Sequence, residues 1–508
     1  MKHQSMKLFT RQFKVAALLR PSILVVFILL KVIPSGAQNI AFQDTVFKQR
    51  VIAAGYDLNL DGEISLSEGA LITSLNVNHL GSPGGPWWVQ QRIRSLGGIE
   101  HFVNLDSLFC SNNQISRLDL SSNTKLSYLW ASSTSLDTLI LGNNDSLRYI
   151  NLNQNTQCTD IDFTGLPNLR VLDYYGAGNV NMSGNPLLEE LHCRFSQGAI
   201  SVPNNPQLKV LECFNQASLD VSSCVGLKEL FCEGRLIKLD SIDLTNNTQL
   251  VRLDLWNNNL TSIDLSQNVA LEFVELGYNL IPSIDFTANT DIKYLSCGGD
   301  SLRSIDVTGL TFLESLATGN FLDSNSSQLE HLDVSTNVNL KELYCPAGNL
   351  TQLDLTQNPL LESLFCGYNN LDTLLLCANP VLSYLNCDGM PQLTHVFVPN
   401  PTAAPNFYSF GSDNWQFYNC ALVLDVPAVA SKTNLSLYPN PASDYFRFAG
   451  LPEDVAGMVY ELRDLHGKRI MGDRLSEMAV NIEALPAGLY VVSVYRANGL
   501  VFTAKLVK

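Results

Sequence analysis

Between residues 95 and 398 the chain repeats one pattern of apolar and polar positions. Leu105-Asp-Ser-Leu108-Phe-Cys110-Ser-Asn-Asn113-Gln-Ile115 aligns under Leu361-Glu-Ser-Leu364-Phe-Cys366-Gly-Tyr-Asn369-Asn-Leu371. Each copy runs on into a Leu-Asp-Leu or Leu-Leu-Leu stretch, meets an Asn (Asn123, Asn379) and restarts. Fourteen anchors mark the copies: Leu105, Leu126, Leu147, Leu169, Leu188, Leu208, Leu227, Leu250, Leu271, Ile292, Leu313, Leu340, Leu361 and Leu382. The commonest step is 21 residues, and the longest runs from Leu313 to Leu340.

A fixed period of this length means a stack of coils, each burying its apolar side against its neighbours. In Leu-x-x-Leu-x-Cys the second Leu and the Cys are two apart, so they share one face of a short strand. Such strands stack in parallel at about 4.8 Å. The Asn that recurs where the coil turns (Asn123, Asn268, Asn289, Asn337, Asn358) can satisfy turn backbone groups that a short strand leaves free.

Twelve cysteines would ordinarily suggest a disulfide framework in an exported chain. Eight of them, Cys110, Cys193, Cys213, Cys232, Cys297, Cys345, Cys366 and Cys387, fall in one repeat slot that elsewhere holds Leu152, Leu255 or Leu276. These should act as small buried hydrophobes with free thiols. Cys420, off the ladder, is expected to pair with Cys377 or Cys387. The array resembles the leucine-rich repeat family, and its cysteine slot resembles the ladder of internalin-like proteins. The resemblance implies an α/β solenoid, with a parallel β-sheet lining its concave face over residues 105–398.

Before the repeats, Asp57-Leu-Asn59-Leu-Asp61-Gly62-Glu63-Ile64-Ser65-Leu-Ser-Glu68 matches the EF-hand loop at every ligand position. Oxygen donors fall at positions 1, 3, 5 and 9, position 7 offers its backbone, and a carboxylate stands at 12. The expected ligand set for a structural Ca2+ is therefore Asp57, Asn59, Asp61, Glu63, Ser65 and Glu68. An amphipathic stretch with Val46, Phe47, Val51 and Ile52 reads as the entering helix. Residues 38–104 should form an EF-hand-like cap on the first coil, with Ile93 to Asn104 and the pair Trp87 and Trp88 covering its apolar end.

Residues 1–37 read as a signal peptide. A basic stretch precedes the apolar run Ile23 to Leu30, and Ser35-Gly36-Ala37 offers a cleavage site. The run is about half the ~20 residues needed to span a bilayer, so no transmembrane segment is expected in the mature chain. Six basic residues leave with the leader, taking the formal charge from -16 to -22. Such a chain repels phosphate backbones, which excludes nucleic acid as a partner.

Residues 399–432 read as a carboxyl cap and linker. From 433 to 508 short alternating strands predict a small β-sandwich of the immunoglobulin type. Tyr438-Pro439-Asn440-Pro441, the turn Gly467-Lys468, Leu485-Pro486-Ala487-Gly488-Leu489-Tyr490 and the basic tail to Lys508 occur in order. Together they resemble the carboxyl-terminal sorting domain of the Bacteroidota type IX secretion system. That resemblance implies the type IX machinery as a partner and delivery to the outer-membrane surface or beyond.

No His-Glu-x-x-His, Gly-x-Ser-x-Gly or phosphate-cradling loop is present, so the sequence reads as a binding protein and not an enzyme. Residues two, four and six after each anchor should face the concave surface. Those offered for recognition are Trp130, Tyr149, His192, Arg194, Phe214, Phe231, Arg252, Trp256, Phe273 and Tyr294. They suit an extracellular protein ligand in an adhesin or receptor role, or alternatively a glycan in polysaccharide capture. The acidic centre favours a basic protein or a neutral glycan over an anionic polymer.

Overall fold

The computed structural model describes residues 38–79, 91–159, 161–193, 198–299, 302–319, 329–398, 416–419 and most of 436–508. The leader, Trp87, Trp88, Arg194 and Cys420 lie outside the described residues.

The repeats build one parallel sheet of fifteen strands laid down in chain order. Its strands run from Ser74–Asn76 and Ser107–Phe109 through Glu229–Glu233 and Arg252–Asp254 to Tyr384–Asn386. Successive coils pair in strict register, for example Leu108 with Leu129 and Leu253 with Val274. The strand leucines, the ladder cysteines and every anchor except the half-buried Leu382 are buried in a single core that extends from Ile40 to Val398. The sheet begins one coil earlier than the anchors foretold. Ile72-Thr-Ser-Leu75-Asn-Val77 carries the same spacing, and Leu75 pairs with Leu108.

The fold is a leucine-rich repeat-like β-solenoid and not the α/β solenoid expected. Among the described residues of the repeats no α-helix occurs. The return path of each coil is too short, being spent on an Asp turn and an Asn turn. In the Asp turn, Asp243 Oδ1 accepts from Thr245 N at 2.9 Å, and Asp264, Asp285 and Asp306 repeat the contact. The Asn turn knits neighbouring coils together. Asn268 Nδ2 donates to Leu244 O and Asn247 O, and Asn289 Nδ2 to Leu265 O and Asn268 O. A second row, unforeseen as a ladder, follows the strands. Asn258, Asn279 and Asn369 each donate to the strand end of the preceding coil, and each carboxamide oxygen accepts a backbone N–H.

The cysteine slot is fully interior. Among the described residues ten cysteines are buried thiols outside any disulfide, the eight ladder members among them, whereas Cys377 is disulfide-bonded.

At the amino end, helix α1 (Thr45–Val51) is capped by Asp44, which accepts from Val46 N and Phe47 N. It continues through a wider turn to Gly55, where φ is 86°. Val46, Phe47 and Val51 enter the solenoid core, and Phe47 meets Phe42 edge-on with ring centres 5.3 Å apart. This unit also blunts the free edge of the sheet. Tyr56 Oη donates to Ser74 O at 2.5 Å, and Arg50 Nη1 donates to Asn78 O at 2.8 Å. An uncovered edge strand would present these carbonyls to any passing chain.

The carboxyl region holds two antiparallel sheets. One joins Ser436–Tyr438, Tyr445–Ala449 and Ala479–Asn481; the other joins Arg469–Met471, Val459–Arg463, Leu489–Arg496 and Gly499–Val507. They share a core of their own that includes Phe446, Leu462, Val480, Val492 and Leu506.

Candidate functional site

Strand alternation places one set of side chains inside and the other on the concave face, in files that cross the sheet. The central file reads Asp173, His192, Glu212, Phe231, Asp254, Glu275 and Ser296, each paired with the next in register or through its neighbour. The file beside it includes Glu229, Arg252, Phe273 and Tyr294.

The aromatic band is not continuous. Tyr128, Trp130 and Tyr149 gather near the amino end, with 5.4 Å between the Trp130 and Tyr149 rings. Phe273 and Tyr294 stack at 4.3 Å with planes 5° apart. Tyr344, Phe365 and Tyr384 make a third stack, at 4.5 and 4.4 Å. In these two stacks the rings cover one another's faces and present their edges outward.

Between the aromatic groups lies charge. His192 Nδ1 is 2.8 Å from Glu212 Oε2, and its Nε2 is 3.3 Å from Glu190 Oε2. Burial opposes its protonation, but the bonds to Glu190 and Glu212 and the nearby Asp173 charge prevail and push it up to about 10. His192 is thus an imidazolium held by its own sheet. Tyr149 Oη donates to Asp173 Oδ2 at 2.9 Å, extending the network toward the aromatic group. Arg252 lies 4.5 Å from the Phe273 ring centre and 5.9 Å from that of Phe231. Trp256 meets Tyr278 edge-on at 5.1 Å.

Phe214, expected on the open face, is only 6% exposed. Arg235 covers its ring at 5.1 Å, supplied by a coil two residues longer than the commonest step. Of the remaining residues offered for recognition, Trp130, Tyr149, Phe231, Arg252, Trp256, Phe273 and Tyr294 are half-buried on the concave side. Burial of Glu212 also departs from the simple alternation, because it sits beneath His192 as a counter-ion.

The acidic loop is ordered by its own backbone. Asp57 accepts from Asp61 N at 3.2 Å and Gly62 N at 2.9 Å; Asn59 Oδ1 accepts from Asp61 N, and Asp61 Oδ1 from Glu63 N. Gly62 has φ of 82°, the left-handed conformation that a glycine takes without strain. Glu68 Oε1 accepts from Leu58 N and Oε2 from Ser65 N, each at 2.8 Å. Burial works against the Glu68 carboxylate, yet these bonds hold its pKa below the usual value. Glu63 pairs instead with Lys48 of α1. Ser65 and Glu68 form a capping box on α2 (Leu66–Gly69), a single turn where a full exiting helix would be longer. The donor set is all oxygen, as a hard cation requires. Among the described residues, however, no three His, Cys, Asp or Glu side chains converge on one ion position.

In the carboxyl region the motif residues clasp the final strand. Asn440 Oδ1 accepts from Val507 N at 2.9 Å, and Gly488 exchanges both backbone bonds with Lys508. Lys508 Nζ donates to Glu483 O and Leu485 O, each at 2.6 Å. Tyr490 Oη donates to Pro486 O at 2.6 Å.

Residues 436–508 match the model of the "Secretion system C-terminal sorting domain" family. Among solved structures, the functional domain of InlJ from Listeria monocytogenes, described as including a cysteine ladder, is 22% identical. The alignment covers 92% of this chain and 97% of that one, with a TM-score of 0.54. A leucine-rich repeat protein of Leptospira interrogans is 19% identical, over 68% of this chain and 86% of that one, with a TM-score of 0.46. No curated protein sequence matches the chain. Among the described residues no helix is long and apolar enough to cross a membrane. The chain is a leucine-rich repeat-like β-solenoid that carries a secretion sorting domain of the type IX kind at residues 436–508, and it is exported to the cell surface or beyond.

Proposed function

We propose that this exported solenoid is a protein-binding adhesin or receptor that engages its ligand through the concave face. The observation that carries the reading is the mixture on that face of half-buried rings, Arg252 and buried charge. Aromatic and Arg side chains of this kind dominate binding hot spots. The glycan reading is weaker. A sugar packs on the flat face of a ring, and in the Phe273–Tyr294 and Tyr344–Phe365–Tyr384 stacks those faces are largely taken.

The amino-terminal unit serves as a cap that Ca2+ would brace. Asp57, Asn59, Asp61, Ser65 and Glu68 would supply side-chain oxygens and Glu63 its backbone, tightening the loop that follows Arg50 and Tyr56. The carboxyl domain, an immunoglobulin-like sandwich in this reading, is the address that the type IX machinery reads.

The test is a surface-protein screen with residues 38–430, followed by the double substitution Phe231→Ala and Trp256→Ala. Binding to the partner so identified should weaken by at least about 2 kcal/mol with the fold intact. Wild-type affinity in the double variant would move the site off the concave face.

A further inference from the structure

Asp254 and Glu275 stand side by side in register on neighbouring strands, in the middle of an open sheet face. Asp254 Oδ1 accepts from Trp256 N at 3.1 Å. Glu275 accepts from Gly277 N at 3.0 Å and from Tyr294 Oη at 3.2 Å. Among the described residues neither carboxylate has a base within ion-pairing distance. Their neighbours differ in this respect. Glu190 and Glu212 hold His192, and Glu233 reaches Arg235 at 3.3 Å. The nearest cation, Arg252, is turned onto the Phe231 and Phe273 rings.

Two like charges half out of water and side by side repel, and the cost is relieved by a cation placed between them. Aromatic walls suit such a cation. Trp256 lies on one side of the pair and the Phe273–Tyr294 stack on the other. Across the central file acids outnumber bases, and the whole chain has a formal charge of -16. A third ligating acid is not gathered there, so the pair is not a metal site among the described residues.

We infer that the concave face receives a basic segment of a partner protein, with an Arg or Lys side chain of that segment seated between Asp254 and Glu275. This rests on the concave-face reading and names the chemistry that reading would accept. Specificity follows from charge, because an acidic or neutral segment would leave the pair uncompensated.

A proton is linked to the event. Burial, followed by the Glu275 and Glu233 charges, raises Asp254 to about 7, with Trp256 N–H and Arg252 opposing. Glu275 is raised by the same burial and by Glu233. A cation favours the ionised carboxylates. Affinity for a basic segment should therefore rise as pH climbs through about 7 and level off above it.

The test uses the full chain and a labelled hexa-arginine peptide, followed by fluorescence anisotropy at fixed ionic strength. Asp254→Asn with Glu275→Gln should weaken binding at least tenfold or so and abolish the pH dependence between about 6 and 8. Asp264→Asn with Asp285→Asn, on the opposite side of the coils, should change neither. Because the first pair of changes removes buried repulsion, its melting temperature should equal or exceed that of wild type. Equal affinity of wild type and the first variant, or equal binding of hexa-glutamate, overturns the inference. If it falls while a screened partner still depends on Phe231 and Trp256, the concave face stands and only the basic chemistry is lost. If that dependence fails too, the face itself is wrong.

Discussion

Asn144 Oδ1 accepts from the backbone N–H of Gly142 at 2.8 Å. In the coils with Asn123, Asn247, Asn268, Asn289, Asn337 and Asn358 the same oxygen accepts nothing from the protein. The difference lies four residues earlier. Those coils have an Asp there, which takes the N–H for itself, and the Asn144 coil has Ile140; Asn379 is an exception, with Leu375 there and its oxygen still accepting nothing. Asp and Asn thus compete for one donor. Replacing Asp243 by Leu should barely move the unfolding midpoint, since Thr245 N–H can pass to Asn247. Replacing Asn247 by Leu removes one of two bonds at each of the Val221 and Cys224 carbonyls, which keep those from Cys224 N and Leu227 N, and should cost about 1–3 kcal/mol in chemical denaturation.

Stability should peak in mildly acidic solution. His192, held by Glu190 and Glu212, is raised to about 10, so its contribution is complete below about 6.5 and fades as pH rises toward 10. Asp254, raised to about 7, adds a penalty that builds as pH rises from about 4 and is complete above about 7. Both make the protein weaker toward alkaline pH. Below about pH 4 the turn aspartates, depressed by bonds from Ser or Thr, become protonated and their support is lost. Melting curves from pH 3 to 10 should show this maximum. Asp254→Asn should lift the neutral limb, and His192→Gln should remove the alkaline fall. A profile flat from about pH 5 to 9 in the wild type would contradict the assignment.

Calcium should protect the amino-terminal cap against heat, with an affinity on the order of 10⁻⁴–10⁻³ M. Asp57→Ala should abolish the gain. Hydrogen exchange of the strand Ser74–Asn76 is the sharper readout, because Tyr56 and Arg50 hold that edge. Indifference of both measurements to calcium would sink the proposal.

The ladder thiols should be inert while the protein is folded. Burial pushes Cys110 and Cys345 up to about 12, far from the thiolate that alkylating agents attack. Iodoacetamide should therefore label the ladder only after unfolding. Extensive labelling of Cys213 or Cys366 in the native state would show that the coils open far more readily than their packing implies.

Removal of residues 433–508 should retain the protein in the periplasm. Asn440→Ala, which frees Val507 N–H, should impair export less severely, through a loosened terminal strand. Surface delivery of the truncated chain at normal levels would count against the sorting role.

The solenoid was legible because burial follows strand position in most coils. Leu108 and Cys110 are interior and Phe109 is not, as spacing alone requires. The first coil escaped notice because a long segment separates Ile72 from Leu105, although Leu75 and Val77 carry the same signal. What the repeat could not reveal depends on neighbouring coils. Phe214 is covered by an Arg from a longer coil, and His192 meets acids from two strands. The same limit hid the ring stacking, since a list of exposed aromatics says nothing about which faces are free. The acidic loop was legible as an EF-hand-like pattern of donors, whereas the one-turn α2 and the inward amide bonds emerge only in three dimensions.

The Asn rows have an evolutionary consequence. Most coils give their turn carbonyls to the Asn of the next, although Leu166, Cys224 and Leu310 interrupt the row. Within an unbroken run, such as that from Asn247 to Asn289, a coil inserted or deleted would therefore leave these bonds matched. The capping unit, with Tyr56 and Arg50 against a single strand, stands outside that interchange. Such a chain can lengthen or shorten by unequal recombination and still fold. Each event keeps the scaffold and reshuffles which files of rings and charges meet the outside world.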